Sequence, residues 1–244
     1  MFIIFIIIIG IVIIAILDSK KGGAYVKKLT PTMRFIIAAG ANTYQNADCS
    51  RVDVGGNPAN SWAKKHMRKL LASSWNVKST EDLRKTISWL FNEGHNKECM
   101  ELVERYKENP KFLENEKLFK TKQKNMNTIM DTITKKFEKQ GILAWDLCRV
   151  CNIAGWGFLA QYITYDEAIQ ISVDACKILQ ARYTSWDNMM EGYFLGLWYW
   201  CEDYTTTQNR MGWYESSKKN KESIYNISWD TVLNPKDVIP PRKK

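Results

Sequence analysis

The chain has two histidines in 244 residues, His66 and His95. That scarcity works against any mechanism or metal site built on several imidazoles. No GxxxxGK[ST] or GxGxxG run occurs, so neither common glycine-rich phosphate loop is present, and Gly55-Gly56 alone is not one. No stretch alternates apolar and polar residues at period two, which leaves no strand signal and predicts an all-α fold. No basic residue precedes the apolar N-terminus, which removes the n-region that a secretory signal needs. No internal repeat is visible.

Charge is present but badly distributed. The formal net charge is +9. Much of that excess sits near the two ends, in Lys20, Lys21, Lys27 and Lys28 and in Lys236, Arg242, Lys243 and Lys244. What lies between is close to neutral, whereas a nucleic-acid binder carries its excess on the folded surface. The sequence therefore predicts no nucleic-acid partner.

Phe2 to Leu17 is an unbroken apolar run of 16 residues. As a helix it spans about 24 Å, somewhat short of a roughly 30 Å hydrocarbon core, with snorkelling by Lys20 and Lys21 to close the gap. Ala15-Ile16-Leu17 is a poor cleavage site, which favours a retained anchor over a signal peptide. The lysines after the run place the bulk of the chain in the cytoplasm by the positive-inside rule. The expected organisation is a transmembrane anchor over 1–19, a basic linker over 20–29, an all-α domain over 30–222 and a polar, basic, extended tail over 223–244. That makes a single-pass protein of the cytoplasmic membrane, held there by residues 2–17.

Within the domain, Thr30-Pro31 has the form of an N-cap with proline at the first helical position, opening a helix to about Asn46. Ser61 to Ser73 reads as a basic amphipathic helix with Trp62, Met67, Leu70 and Leu71 turned inward. Its Lys64, Lys65, Arg68 and Lys69 form a solvated face, or alternatively a face toward lipid. Ser79 caps a helix that ends at Gly94-His95. Phe112, Phe119, Met126, Met130, Ile133 and Phe137 recur as in one long helix.

The stretch from Ala144 to Trp200 reads as three consecutive helices. The first carries two charges among apolar neighbours, Asp146 and Arg149, three residues apart and able to meet on one helical face. Burial of such charges is costly unless they are paired, so an internal ion pair is expected, or else Arg149 tying another helix. Thr164 and Glu167 have the spacing of a capping box for the second helix. Ser185 is placed to cap the third, with Asp187 in its first turn.

These joints carry a resemblance. Ala144-Trp145-Asp146 with Arg149, Tyr162-Ile163-Thr164 with Glu167-Ala168, and Ser185-Trp186 followed by Gly192-Tyr193-Phe194-Leu195-Gly196 are similar to the bacterial domain of unknown function numbered 1266. Upstream, Trp75 and the helix ending Gly94-His95 fit the same pattern, so the resemblance covers roughly 70–202. Asn76-Val77 stands where the family often has Gly-Ile, and Cys148 and Cys151 are no part of its pattern. The resemblance implies a fold and little chemistry, with Trp75, Trp145, Asp146, Arg149, Thr164, Glu167, Ser185 and Trp186 as structural positions.

Three groupings invite a chemical reading. Cys148-x-x-Cys151 lies mid-helix with no second pair to complete a zinc site, so it reads as core, and all six cysteines read as reduced. Glu93, His95, Asp146 and Arg149 form an acid–base set if the fold brings Gly94-His95 against the central helix, with His95 as base and Arg149 holding an anion; otherwise they close a helix end and lock the core. Trp198-Tyr199-Trp200 offers either a ligand platform or core packing. No cofactor or metal is predicted. The expected function is a membrane-anchored binding or regulatory module with a protein partner, in one form an immunity-type protector against a toxin. The alternative is a hydrolase or transferase using the four-residue set.

Overall fold

The computed structural model describes residues 26–43, 52–115 and 123–242. Among these residues there are helices, one 3-10 turn and no strand. In chain order the helices are α1 (Pro31–Ala41), α2 (Ser61–Trp75), α3 (Thr80–Asn92), α4 (Gly94–Glu108), α5 (Phe112–Asn115), α6 (Gln123–Lys136), α7 (Leu143–Leu159), α8 (Tyr165–Arg182), α9 (Trp186–Cys201) and α10 (Tyr204–Lys218). The 3-10 turn is Val54–Gly56.

α7 is the axle. Its residues are buried on nearly every side, as expected of a helix with little polar surface to show to water. α8, α9, α3, α1, α2, α4 and the 3-10 turn all pack on it. Close approach is achieved with glycine. A Cβ on Gly155 would lie 2.5 Å from the Gly55 nitrogen, and one on Gly157 would lie 2.4 Å from Leu83 Cδ2. On α9, a Cβ at Gly196 would lie 2.2 Å from Trp145 Cβ.

The local stop and start signals hold. Thr30 Oγ1 accepts from Met33 N, Ser79 Oγ from Asp82 N, and Ser185 Oγ from Asn188 N. Thr164 and Glu167 form the full reciprocal capping box at the start of α8. α2 is capped by Asn60 rather than Ser61, whose side chain is exposed.

Several expectations are corrected. The helix opened by Thr30-Pro31 ends at Ala41. Of the long helix expected over 112–137, α5 and α6 are described, and the residues between them, 116–122, lie outside the described residues. Part of the expected linker belongs to the domain, since Val26 is buried and Lys27 pairs with Glu222. The largest difference is at the C-terminus. Residues 223–242 are non-helical, but they form a strap across α1 and α8 with Ile224, Tyr225, Trp229 and Leu233 buried. Backbone carbonyls of the strap take hydrogen bonds from Arg34, Gln180, Thr30 and Tyr165. Trp229 Nε1 donates to Tyr183 O, and Arg242 pairs with the buried Asp53. A segment that looks polar on average is held by a few well-placed apolar side chains and by its own carbonyls.

Among the described residues no helix is long and apolar enough to cross a membrane. The run Phe2–Leu17 lies outside the described residues.

Gly155→Ala should destabilise the fold by about 2–3 kcal/mol, because the new methyl meets backbone that cannot rotate away. A urea unfolding midpoint equal to that of the unaltered chain would contradict the backbone contact with Gly55.

Candidate functional site

Asp146 lies in the first turn of α7 with its carboxylate fully buried. It does not cap its own helix. Oδ1 accepts from His95 N at 3.2 Å and Oδ2 from Asn96 N at 2.8 Å, so Asp146 is the N-cap of α4, supplied from another helix. The favour is returned. Asn96 Oδ1 accepts from Ile142 N at 2.7 Å, at the start of α7. Gly94, the first residue of α4, and Gly141, two residues before α7, have φ of +58° and +56°. A Cβ on Gly94 would lie 2.1 Å from Asp146 Oδ2, and one on Gly141 would lie 2.4 Å from Asn96 Oδ1. Both positions need glycine twice over, for the left-handed backbone and for the space.

Arg149 completes the arrangement. Its Nη2 donates to Asp146 Oδ1 at 2.5 Å and its Nε to Trp145 O at 3.3 Å. The guanidinium carbon lies 4.6 Å from the Trp145 ring centre and 5.3 Å from that of Trp75, so the cation is held between two indoles. Both sequence alternatives are realised together: Arg149 pairs with Asp146 and also ties α7 to α2. Burial pushes the Asp146 carboxyl up, opposed by Arg149 and by the amides of Asn96 and His95. Burial lowers Arg149 in turn, opposed by Asp146. With two amides and a guanidinium on it, Asp146 is an ionised partner in a closed network.

Above this network a cleft of about 580 Å³ opens between α2, α7, the end of α9 and the middle of α10. Trp75, Trp89, Trp145, Trp156 and Trp200 line it, together with Arg149, Arg210, His95 and Asn152. Trp200 stands 54% exposed at the rim, with its ring centre 5.8 Å from that of Trp145. Arg210 donates through Nη1 to Asn42 O at 2.8 Å. Among the described residues its Nε has no hydrogen-bond partner, nor have Trp145 Nε1 and Asn152 Oδ1.

The four-residue acid–base set is therefore split. His95 and Arg149 face the cleft, Asp146 lies beneath it, and Glu93 points to solvent in a pair with Lys97. The His95 ring is half-buried and meets Trp89 edge-on at 5.3 Å. Burial and then Arg149 hold His95 below its ordinary value, while Asp146 and Glu98 pull the other way. Among the described residues no carboxylate accepts from its imidazole, so the third group that usually orients a catalytic histidine is missing. Ser73, which also lines the cleft, spends its hydroxyl on Leu70 O.

The remaining sequence candidates have other tasks. Cys148 and Cys151 are buried mid-helix; burial raises the Cys148 thiol, and Cys151 Sγ lies 3.8 Å from Cys176 Sγ. Trp186 Nε1 donates to Ile227 O beneath the strap. The Trp198–Trp200 run divides, with Trp198 packed on Tyr204 at 4.5 Å away from the cleft. Among the described residues no three of His, Cys, Asp and Glu are grouped as a metal site. Sequence reasoning missed Arg210, Asn152, Asn96 and the roles of Trp89 and Trp156. A signal existed for Asn152, one turn after Arg149 on the same face of α7; none existed for Arg210, which lies in a polar helix with little periodicity.

A family model described as "Protein of unknown function (DUF1266)" matches residues 70–229. The chain belongs to this family. No curated protein and no solved structure matches it. The DUF1266 match extends beyond the resemblance read over 70–202 and takes in Arg210 and the strap as far as Trp229. It therefore contains the clasp between α4 and α7 and nearly all of the cleft. Asn76, standing where glycine was the expected residue, caps α2 with φ +52°, a left-handed conformation that asparagine tolerates best after glycine.

Asp146→Ala should cost about 3–5 kcal/mol, because it leaves Arg149 buried without a counter-charge and α4 without a cap. A loss below about 1 kcal/mol in denaturant unfolding would contradict the network. His95 supplies a pH signature. Since its folded pKa lies below the ordinary 6.5, the stability it contributes is full above that value and is lost as pH falls through the lowered one. His95→Gln should therefore flatten the decline in unfolding midpoint between about pH 7.5 and 5.5. An unchanged decline would place the titration elsewhere.

Proposed function

We propose that the chain is a binding module held at the inner face of a membrane through residues 2–17, and that its cleft receives an acidic group flanked by apolar surface from a protein partner. The observation that carries the reading is the make-up of the cleft wall. Two guanidiniums and five indoles surround it, and among the described residues none is an oriented base or an activated nucleophile. Trp and Arg are the residues most enriched where protein partners anchor. A guanidinium with unused N–H donors favours a carboxylate. In its most specific form the partner is a toxin that reaches the membrane, and the chain neutralises it by occupying the segment bearing that group.

The alternative, a hydrolase or transferase, is supported by one observation, the half-buried His95 on the cleft wall. It requires His95→Ala to abolish turnover while leaving thermal stability unchanged. The binding reading is tested with the full chain in mild detergent, purified from native membranes beside an Arg210→Gln/Trp200→Ala variant. A partner should be retained by the former and depleted at least tenfold in the latter. Identical protein sets from the two baits would sink the cleft as the binding site.

A further inference from the structure

The strongest feature outside the cleft lies on α2. Trp62, Lys65, His66 and Lys69 follow the i, i+3, i+4, i+7 spacing of a single helical face, and all four are exposed. Trp62, expected from the sequence to turn inward, is instead 62% exposed, because it lies off the face held by Ala63, Met67 and Leu71, and its ring stacks on that of His66 at 4.8 Å with an interplanar angle of 7°. The opposite face is fixed, because Ala63, Met67 and Leu71 are buried. Arg68 is also committed, through its donation to Ala160 O and its position over the Tyr162 ring. Helix rotation is therefore set by the core, and the stripe on the outside is a consequence of sequence rather than of slack.

Its charge pattern differs from that of α3, α4, α6 and α10. Lysines of those helices pair with carboxylates on their own helix, as in Lys85–Glu81, Lys107–Glu104, Lys135–Asp131 and Lys218–Glu215. α2 contains no acidic residue, and among the described residues none lies within ion-pair distance of Lys64, Lys65 or Lys69. The Trp62 indole, stacked on His66, leaves more than half of its surface to water beside lysines that have no ion pair among the described residues, an arrangement that is costly in water. It is favourable at a bilayer interface, where the ring sits at headgroup depth while lysine stems lie along apolar surface and their ammonium groups reach phosphate.

We infer that this stripe of α2 rests on an anionic lipid surface. The membrane setting is that of the preceding section, but the stripe makes its own contact, apart from residues 2–17 and from the cleft. Lipid is favoured over nucleic acid because the exposed tryptophan lies among the lysines and the same chain carries a 16-residue apolar run. Each lysine near an anionic surface is worth about a fivefold gain in partitioning.

The test is lysine acetylation of the full chain, read by mass spectrometry, on phosphatidylcholine vesicles with and without roughly one-third phosphatidylglycerol. Acetylation of Lys65 and Lys69 should fall at least fivefold on the anionic vesicles, while Lys85 and Lys97 change less than twofold. Trp62→Ser, a change at an exposed position, should remove at least half of that protection. Equal labelling on both vesicles overturns the inference, as does stronger protection by single-stranded RNA without lipid. Carbonate extraction of the same vesicles reports separately on anchoring. A chain stripped by carbonate yet protected at Lys65 and Lys69 keeps the stripe and loses the anchor; a retained but unprotected chain loses the stripe alone.

Discussion

The reciprocal clasp between α4 and α7 is the constraint on which the rest depends. Each helix has backbone donors at its start that its own sequence leaves unsatisfied, and each is capped by a side chain from the other: Asp146 on α4 and Asn96 on the start of α7. The exchange works only with backbone close enough for short side chains to reach, hence the matched glycines at 94 and 141. A carboxylate buried this deeply is tolerable because three donors converge on it, two of them amides that cannot move and the third the Arg149 guanidinium. Removing any one of the three leaves charge without full compensation, so the group acts as a unit. Its fixed geometry holds Trp75, Trp145 and His95 around one opening.

That geometry also decides where the cleft is cationic. Arg149 is matched by Asp146, so the pair adds little net charge. Arg210 bonds a backbone carbonyl, and among the described residues no carboxylate lies within ion-pair distance of it. Among the described residues, the cation of the cleft without a carboxylate is therefore Arg210, while Arg149 offers hydrogen-bond direction more than charge.

What the sequence reveals about this molecule divides by range. Caps whose donor and acceptor lie three residues apart, at Thr30, Ser79, Thr164 and Ser185, are legible because the whole interaction fits in one turn. So is the Asp146–Arg149 pair, at i, i+3. The cap of α4 is not, since Asp146 and Asn96 are 50 residues apart and no local pattern joins them. Glu93 and His95 looked like one site because they are neighbours in sequence; the turn at Gly94 sends one to solvent and the other to the cleft. The strap was illegible for another reason. Its average polarity is that of a loose tail, and its attachment rests on Tyr225, Trp229 and Leu233 finding complementary gaps between α1, α8 and α9, a property of shape rather than of composition.

α2 joins the two surfaces. Its exposed stripe lies in the first half of the helix, while Ser73, Trp75 and Asn76 at its end line the cleft. Its rotation is fixed by Met67 and Leu71 below and by the Arg149–Trp75 contact at its C-terminus. α2 thus carries the stripe toward one end and, at the other, the indole that packs on Arg149. The DUF1266 match begins at Leu70 and includes the cleft end of α2 but not Trp62, Lys65 or His66. Nearly all of the residues lining the cleft therefore fall inside the match, and the stripe falls outside it.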